Sequence, residues 1–163
     1  MYNLMRAHIS FLYTEHNYRL TVIWIMTIED VKIIELPKFL DARGNLSFVE
    51  QFNHIPFEIK RTYWIYDVPG GEDRGEHAFK ANQEVIIALS GAFDVIVDDG
   101  DNKKLFSLNR SYYALYIPAG LWRTIENFST NSFALEFGSV GYSEDDYIRD
   151  YDEFLKLKKD GKI

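Results

Sequence analysis

The chain is 163 residues long, with 47% hydrophobic and 26% charged residues, a size and balance suited to one folded domain with a single core. A formal net charge of −7 without a basic stripe speaks against a nucleic-acid backbone as partner, and no apolar run is long enough to cross a bilayer. Cysteine is absent, which excludes disulfides, thiolate nucleophiles and thiolate metal sites and fits a cytoplasmic protein.

Along residues 1–25, Arg6, His8, Glu15, His16 and Arg19 interrupt every apolar stretch, so no signal-peptide core survives. A second methionine, Met26, opens a run to Leu36 whose alternation predicts a first strand. Met26 is read as the start of the domain proper and residues 1–25 as an N-terminal extension upstream of it; a genuine extra strand or a partner-binding arm is the alternative. Short strand-like runs follow: Ile59 to Asp67, Glu84 to Leu89, Ala92 to Val97, Tyr112 to Ile117 and Ser132 to Gly138. Turn signals separate them at Pro69-Gly70-Gly71, Ser90-Gly91, Asp98 to Asn102 and Pro118-Ala119-Gly120. That rhythm predicts an all-β sandwich or barrel running to about Tyr142. Ser143 with Asp146 reads as a helix-start box, and Tyr147, Tyr151, Phe154 and Leu155 would share one face of a C-terminal helix over residues 143–158. Lys156, Lys158 and Lys159 sit near its end, where cations are favoured.

Gly71, His77, Phe79, Glu84 and Gly91 have the spacing of a first cupin motif, and Pro118-Ala119-Gly120-Leu121-Trp122-Arg123 with Asn127 that of a second. This resemblance implies a small jelly-roll (cupin) barrel, residues 26–163 forming the single domain with one C-terminal α-helix. In metal-binding cupins two histidines and a glutamate of the first motif meet a histidine of the second. Here Phe79 and Arg123 stand at two of those four places. Phenylalanine has no donor atom and arginine keeps its charge, so no metal is expected.

Further stretches narrow the resemblance. Lys60 to Asp67, Arg74-Gly75-Glu76-His77-Ala78-Phe79-Lys80, Asp41-Ala42-Arg43-Gly44, Val97-Asp98-Asp99-Gly100 and Asp145 to Tyr151 are similar to the sugar 3,4-ketoisomerases, the WxcM-like cupins of FdtA and QdtA type. That family implies a dTDP-4-keto-6-deoxyhexose as substrate, no cofactor, a homodimer that exchanges an N-terminal strand, and a place in surface-polysaccharide synthesis. Its best-known members carry histidine where this chain has Phe79, and tend to carry histidine at Arg123.

Moving a carbonyl from carbon 4 to carbon 3 needs an acid–base group and no redox cofactor. His77 is the candidate general base, since imidazole accepts and returns protons near neutrality. Tyr63 is its candidate catalytic neighbour by resemblance. Arg43 and Arg123 are candidates to stabilise an enediolate or hold the pyrophosphate; Arg61 and Arg74 are further candidates for the diphosphate, as guanidinium forks pair two phosphate oxygens at once. Phe79 and Trp122, with Trp64 and Tyr66, are candidate contacts for sugar or base. Glu84 is read as a substrate-site residue: a vestigial ligand position, an orienting partner or a rim group. Two other functions remain open on sequence, a non-catalytic nucleotide-sugar-binding cupin and a 3,5-epimerase.

Overall fold

The computed structural model describes residues 7–10 and 21–163, with side chains from residue 25 onward. Most of the expected residues 1–25 extension lies outside these residues; within it β1 (Ala7–Ser10) pairs antiparallel with β2 (Thr21–Trp24). The strands that follow are β3 (Lys32–Glu35), β4 (Phe39–Asp41), β5 (Gly44–Leu46), β6 (Arg61–Tyr66), β7 (Arg74–Phe79), β8 (Glu84–Ser90) and β9 (Phe93–Asp98). After them come β10 (Lys103–Leu108), β11 (Tyr113–Ile117), β12 (Trp122–Glu126), β13 (Phe133–Gly138), β14 (Tyr147–Ile148) and α1 (Tyr151–Lys159), the one α-helix among the described residues. Among the described residues no helix is long and apolar enough to cross a membrane.

Two five-stranded antiparallel sheets pack face to face, in the orders β10-β9-β12-β7-β14 and β3-β11-β8-β13-β6. Neighbours in these orders are mostly distant in sequence, the signature of a jelly roll. Between the sheets lies a core built of Ile86, Ala88, Phe93, Val95, Val97, Leu115, Ile117, Ile125 and Ala134. Two further clusters cover the outer faces. Ile55 and Phe57, from the long connection after β5, close over Val85 and Ile87, so β8 is buried on both sides. Ala78, Ile148 and Phe154 form the other, where α1 lies across the first sheet.

Two boundaries differ from the sequence expectation, for the same physical reason. Within the run expected to be one strand from Met26, Thr27 caps a single 3-10 turn over Ile28–Asp30: its hydroxyl accepts from the Glu29 amide and its own amide donates to Asp30. The strand therefore starts only at Lys32. The helix expected over 143–158 likewise starts later. Glu144–Asp146 make one 3-10 turn, Tyr147 and Ile148 then pair with Phe79 and Ala78 as β14, and Asp150 caps α1 through the Glu153 amide at 2.8 Å. At Thr27 a polar box closes the turn and at Ser143 only the backbone bond from the Asp146 amide to the Ser143 carbonyl does, and in both places strand pairing then takes the backbone.

One irregularity positions the site. The ladder between β12 and β7 slips from Arg123↔His77 to Ile125↔Arg74, so β7 carries an extra residue, a bulge. Gly75 stands in it with φ +76°, a left-handed conformation open to glycine. A Cβ at Gly75 would also fall inside the Arg123 guanidinium.

Candidate active site

Side-chain alternation sets which residues meet between the sheets. On β7, His77 and Phe79 point inward while Ala78 packs outward under α1. On β12, Arg123 stands opposite His77 and faces in with it. From the other sheet, Glu136 of β13 lies across from Tyr63 of β6 and Ile86 of β8, and in the next row Gly138 lies across from Arg61 and Glu84. A side chain at Gly138 would press on Arg61 and Asn82, so the glycine makes room for that guanidinium.

Arg123 ties the two sheets together. Its Nε donates to Glu84 Oε1 at 2.8 Å, and its Nη2 to Glu84 Oε2 at 3.1 Å and Glu136 Oε2 at 2.8 Å. The Tyr63 hydroxyl donates to the same Glu84 Oε2 at 3.1 Å. Arg123, Glu84 and Glu136 are all 1% exposed or less, so this is a sealed ionic cluster in the body of the fold. Burial pushes the Glu136 carboxyl up to about 7 against the pull of Arg123, and the Glu84 charge pushes it the same way. Burial, then the charges of Glu84 and Glu136, hold the Tyr63 hydroxyl far above the ordinary tyrosine value.

His77 occupies an aromatic wall, its ring centroid 4.7 Å from Phe79 and 4.8 Å from Tyr147. Burial, reinforced by the charges of Arg123, Arg149 and Arg61, pushes the imidazole down to about 2, so it is neutral and proton-accepting at physiological pH. Its Nε2 is buried with no hydrogen-bond partner among the described residues. The Arg61 guanidinium spans from one sheet to the other, 4.9 Å from the Tyr63 ring and 5.7 Å from that of Phe79, and its Nε and Nη2 are likewise buried without partners. Native proteins rarely leave such groups unsatisfied. Here a buried imidazole nitrogen and two unpartnered guanidinium donors lie against the same two aromatic rings, Phe79 and Tyr147, an arrangement that suits an anionic, hydroxyl-bearing ligand.

The structure therefore brings together His77, Phe79, Arg61, Tyr63, Glu84 and Arg123 of the expected residues. The other candidates lie apart from this group. Trp122 faces outward, 5.2 Å from Tyr151 and 5.7 Å from Phe154, because it alternates with Arg123 and so belongs to the cluster under α1. Arg43 lies on the exposed turn between β4 and β5, where all of its hydrogen bonds go to Asp41. Arg74 is exposed at the start of β7, beyond the bulge. Trp64 and Tyr66 sit on the outer face of β6, stacked with Phe133. Arg123 donates through Nε and Nη2 to its two carboxylates, and its buried Nη1 has no partner among the described residues. Sequence reasoning missed Glu136, whose signal was the need of any buried guanidinium for counter-charge, and Tyr147, which the expected helix had placed elsewhere.

A metal does not fit this donor set. Phe79 offers nothing, Glu84 is engaged by Arg123, and the guanidinium itself is aimed at the carboxylates a cation would use. Among the described residues no group of three or more His, Asp or Glu side chains is placed to hold an ion.

An all-β jelly roll with one C-terminal helix and a cluster of charged and titratable side chains buried between its sheets defines a cupin-type protein. Comparison with known proteins carries this further. Residues 29–159 match the family model described as "FdtA: WxcM-like, C-terminal". The chain is 38% identical over 136 residues to a TDP-4-oxo-6-deoxy-alpha-D-glucose-3,4-oxoisomerase of Aneurinibacillus thermoaerophilus, covering 80% of this chain and 98% of that protein. A 3,4-ketoisomerase from Helicobacter canadensis superimposes with TM-score 0.78 at 42% identity, over 80% of this chain and 98% of the other. A variant of the 3,4-ketoisomerase QdtA from Thermoanaerobacterium thermosaccharolyticum, crystallised with TDP-4-keto-6-deoxyglucose, gives TM-score 0.80 at 32% identity over 82% and 97%. The chain belongs to the FdtA, WxcM-like family. A dTDP-4-dehydrorhamnose 3,5-epimerase from Bacillus anthracis, at 19% identity and TM-score 0.66, shares the fold alone.

Proposed function

We propose that the protein is a sugar 3,4-ketoisomerase that moves the carbonyl of a dTDP-linked 4-keto-6-deoxyhexose from carbon 4 to carbon 3. The observation that carries the reading is His77: a neutral imidazole with a free, buried Nε2, faced by the unpartnered donors of Arg61. Family membership, the oxoisomerase relative and the ketoisomerase structures support the same reaction. The epimerase alternative has only the shared fold in its favour.

His77 Nε2 takes the proton from carbon 3, and the electrons of that bond form an enediolate whose charge gathers on the carbon 4 oxygen. Arg61 supplies donors for the diphosphate, using Nε and Nη2 together. That diphosphate offsets part of the positive field that depresses His77, so the imidazole becomes a stronger base only once substrate is bound. Phe79 and Tyr147 wall the chamber and keep water from the enediolate. Nothing in this sequence of steps calls for a cofactor.

The assembly expected is a homodimer. Phe39, Leu40 and Leu46 on the β4–β5 hairpin are largely exposed, as are Trp64 and Tyr66 along the edge strand β6, and a second copy would cover such surface. Docking of that hairpin onto a partner is also the route by which Arg43 would meet a ligand. Sedimentation of Leu40→Glu against wild type tests it, a shift from dimer to monomer being the expected outcome.

The reaction is tested by incubating the protein and its His77→Asn variant with dTDP-4-keto-6-deoxyglucose in deuterated water, following carbonyl position by NMR. Formation of the 3-keto sugar by wild type alone is expected. Binding without exchange at carbon 3 would leave a sugar-binding cupin in its place.

A further inference from the structure

Asn82, a polar side chain in the turn from β7 to β8, is 1% exposed, as deeply buried as the hydrophobic core. It stands two residues before Glu84, and the same alternation turns both inward. The backbone around it is held from two sides: the Ala81 and Asn82 amides donate to the Asp146 carboxylate at 2.7 and 3.2 Å, and the Gln83 amide donates to Ser139 Oγ at 2.8 Å. Its side-chain Oδ1 accepts from the Val140 amide at 3.3 Å, which settles the orientation of the group, since the flipped amide would set donor against donor. Nδ2 is left buried with no partner among the described residues. A Cβ on Gly138 would come within 2.8 Å of Asn82 Oδ1 and 3.4 Å of Arg61 Nε, so the amide and the guanidinium share one face, cleared by the glycine. Arg61 Nε and Nη2 are orphaned in the same way. Three donor nitrogens cannot satisfy one another, and the carboxylates of the flanking elements are engaged: Glu84 by Arg123 and Tyr63, Asp146 by the turn amides.

We propose that Asn82 is a further substrate-binding residue, its Nδ2 joining Arg61 Nε and Nη2 on the phosphoryl oxygens of the diphosphate. The inference rests on a dTDP-linked sugar being the substrate. The ligand group follows from the donor set. A sugar hydroxyl donates as well as accepts and is best met by a mixed set, whereas a phosphoryl oxygen only accepts, and a cradle of donors alone fits the second. The guanidinium fork meets two oxygens and the amide a third. Being neutral, the amide adds that contact without adding to the positive field of Arg123, Arg149 and Arg61 that already weakens His77 as a base. The empty protein bears the cost, because a buried amide short of a hydrogen bond is less favourable than an apolar side chain of the same shape. Bound diphosphate removes that cost, and the clamped turn holds the amide in place beforehand.

Asn82→Leu keeps the size of the side chain and removes the donor. Calorimetry with dTDP, which carries the diphosphate and no sugar, should show Kd raised about 10-fold, the scale of one hydrogen bond to a charged group. KM for the keto sugar should rise in step while kcat stays near wild type, and the unfolding midpoint without ligand should hold or rise. Asn82→Asp sets a carboxylate against the same oxygens and should weaken dTDP more than leucine does. A purely structural asparagine predicts the reverse, a lowered midpoint with dTDP affinity unchanged, and that result overturns the proposal. An unchanged dTDP Kd with a lowered kcat also overturns it, by placing the donor on the sugar. Should Asn82→Leu not fold, wild type decides: the side-chain amide signal of Asn82 in isotope-labelled protein should shift when dTDP is added, and a signal that stays in place overturns the proposal. Wild type that fails to bind dTDP removes the nucleotide-sugar reading and the proposal together, whereas equal binding by wild type and both variants removes the role of Asn82 alone.

Discussion

The space between the two sheets has two halves, and the same strands line both. Along β8 the inward positions run Glu84, Ile86, Ala88; along β13 they run Glu136, Ala134; and along β12, Arg123, Ile125. One half is packed entirely by aliphatic and aromatic side chains, while the other holds an ion cluster, a tyrosine, a histidine and a second arginine. The apolar half gains stability by excluding water, at roughly 25 cal/mol per Å² of apolar surface buried. The polar half breaks even at best on stability, since desolvating ions offsets their attraction. What it gains is preorganisation: each charged group is fixed before substrate arrives. Two residues along a strand suffice to pass from one regime to the other.

The largest test of that contrast removes the cation. Arg123→Met leaves two buried carboxylates unpaired and should cost about 3–5 kcal/mol in denaturant unfolding, with activity lost. Replacing the whole cluster, as Arg123→Met with Glu84→Gln and Glu136→Val, should recover most of that stability and none of the activity. His77→Asn should do the opposite, lowering kcat/KM by about 10²–10⁴-fold while the unfolding midpoint stays close to wild type. In the apolar half, Ile86→Ala should cost about 2–5 kcal/mol and leave kcat intact at temperatures where the fold persists.

Smaller effects sharpen the boundary. Raised from 4.5 to about 7, Glu136 contributes stability that is complete below about 4.5 and is lost as pH rises through about 7. His77 acts in the other direction: lowered from 6.5 to about 2, it withdraws stability as pH falls below 6.5, because the unfolded chain takes up the proton first. Unfolding curves across pH should therefore show a maximum on the acid side of neutrality, and Glu136→Gln should flatten its alkaline flank. The least change is expected from Trp122→Phe. It should cost under about 1.5 kcal/mol of packing under α1 and leave KM unaltered, as befits a residue outside the chamber.

Much of this was legible in the sequence wherever a local signal and the tertiary outcome agree. The five strands expected between Ile59 and Gly138 fall within a residue or two of their expected bounds because glycine, proline and Asp-Gly turns punctuate them, whereas β7, β10 and β12 had no expected bounds. His77 and Arg61 face inward between the sheets, where motif and strand alternation both put them. Glu136 was hidden by an inverted alternation: in Phe133-Ala-Leu-Glu-Phe-Gly138 the large apolar residues read as the core face, yet Ala134, Glu136 and Gly138 point inward. The outer face is itself covered in part, with Phe137 packed against the Ile55 cluster. A strand with both faces covered gives no reliable polarity, and only charge balance around Arg123 could have revealed which face was which. Tyr147 was misplaced because the expected box does not form: Ser143 makes no side-chain cap, and after a single turn the chain pairs with β7 as β14.

The bulge at Gly75 also constrains how this site can change over generations. An alanine there would collide with the Arg123 guanidinium as well as strain a backbone at φ +76°, so the glycine and the arginine are bound as a pair. A lineage that exchanged Arg123 for a shorter side chain would shed the steric veto at position 75 but keep the conformational one, while leaving Glu84 and Glu136 without their cation. Reversion from such a state becomes harder with every neighbour that adjusts, so the order in which these four positions mutate, more than the merit of any single change, decides which descendants can be reached.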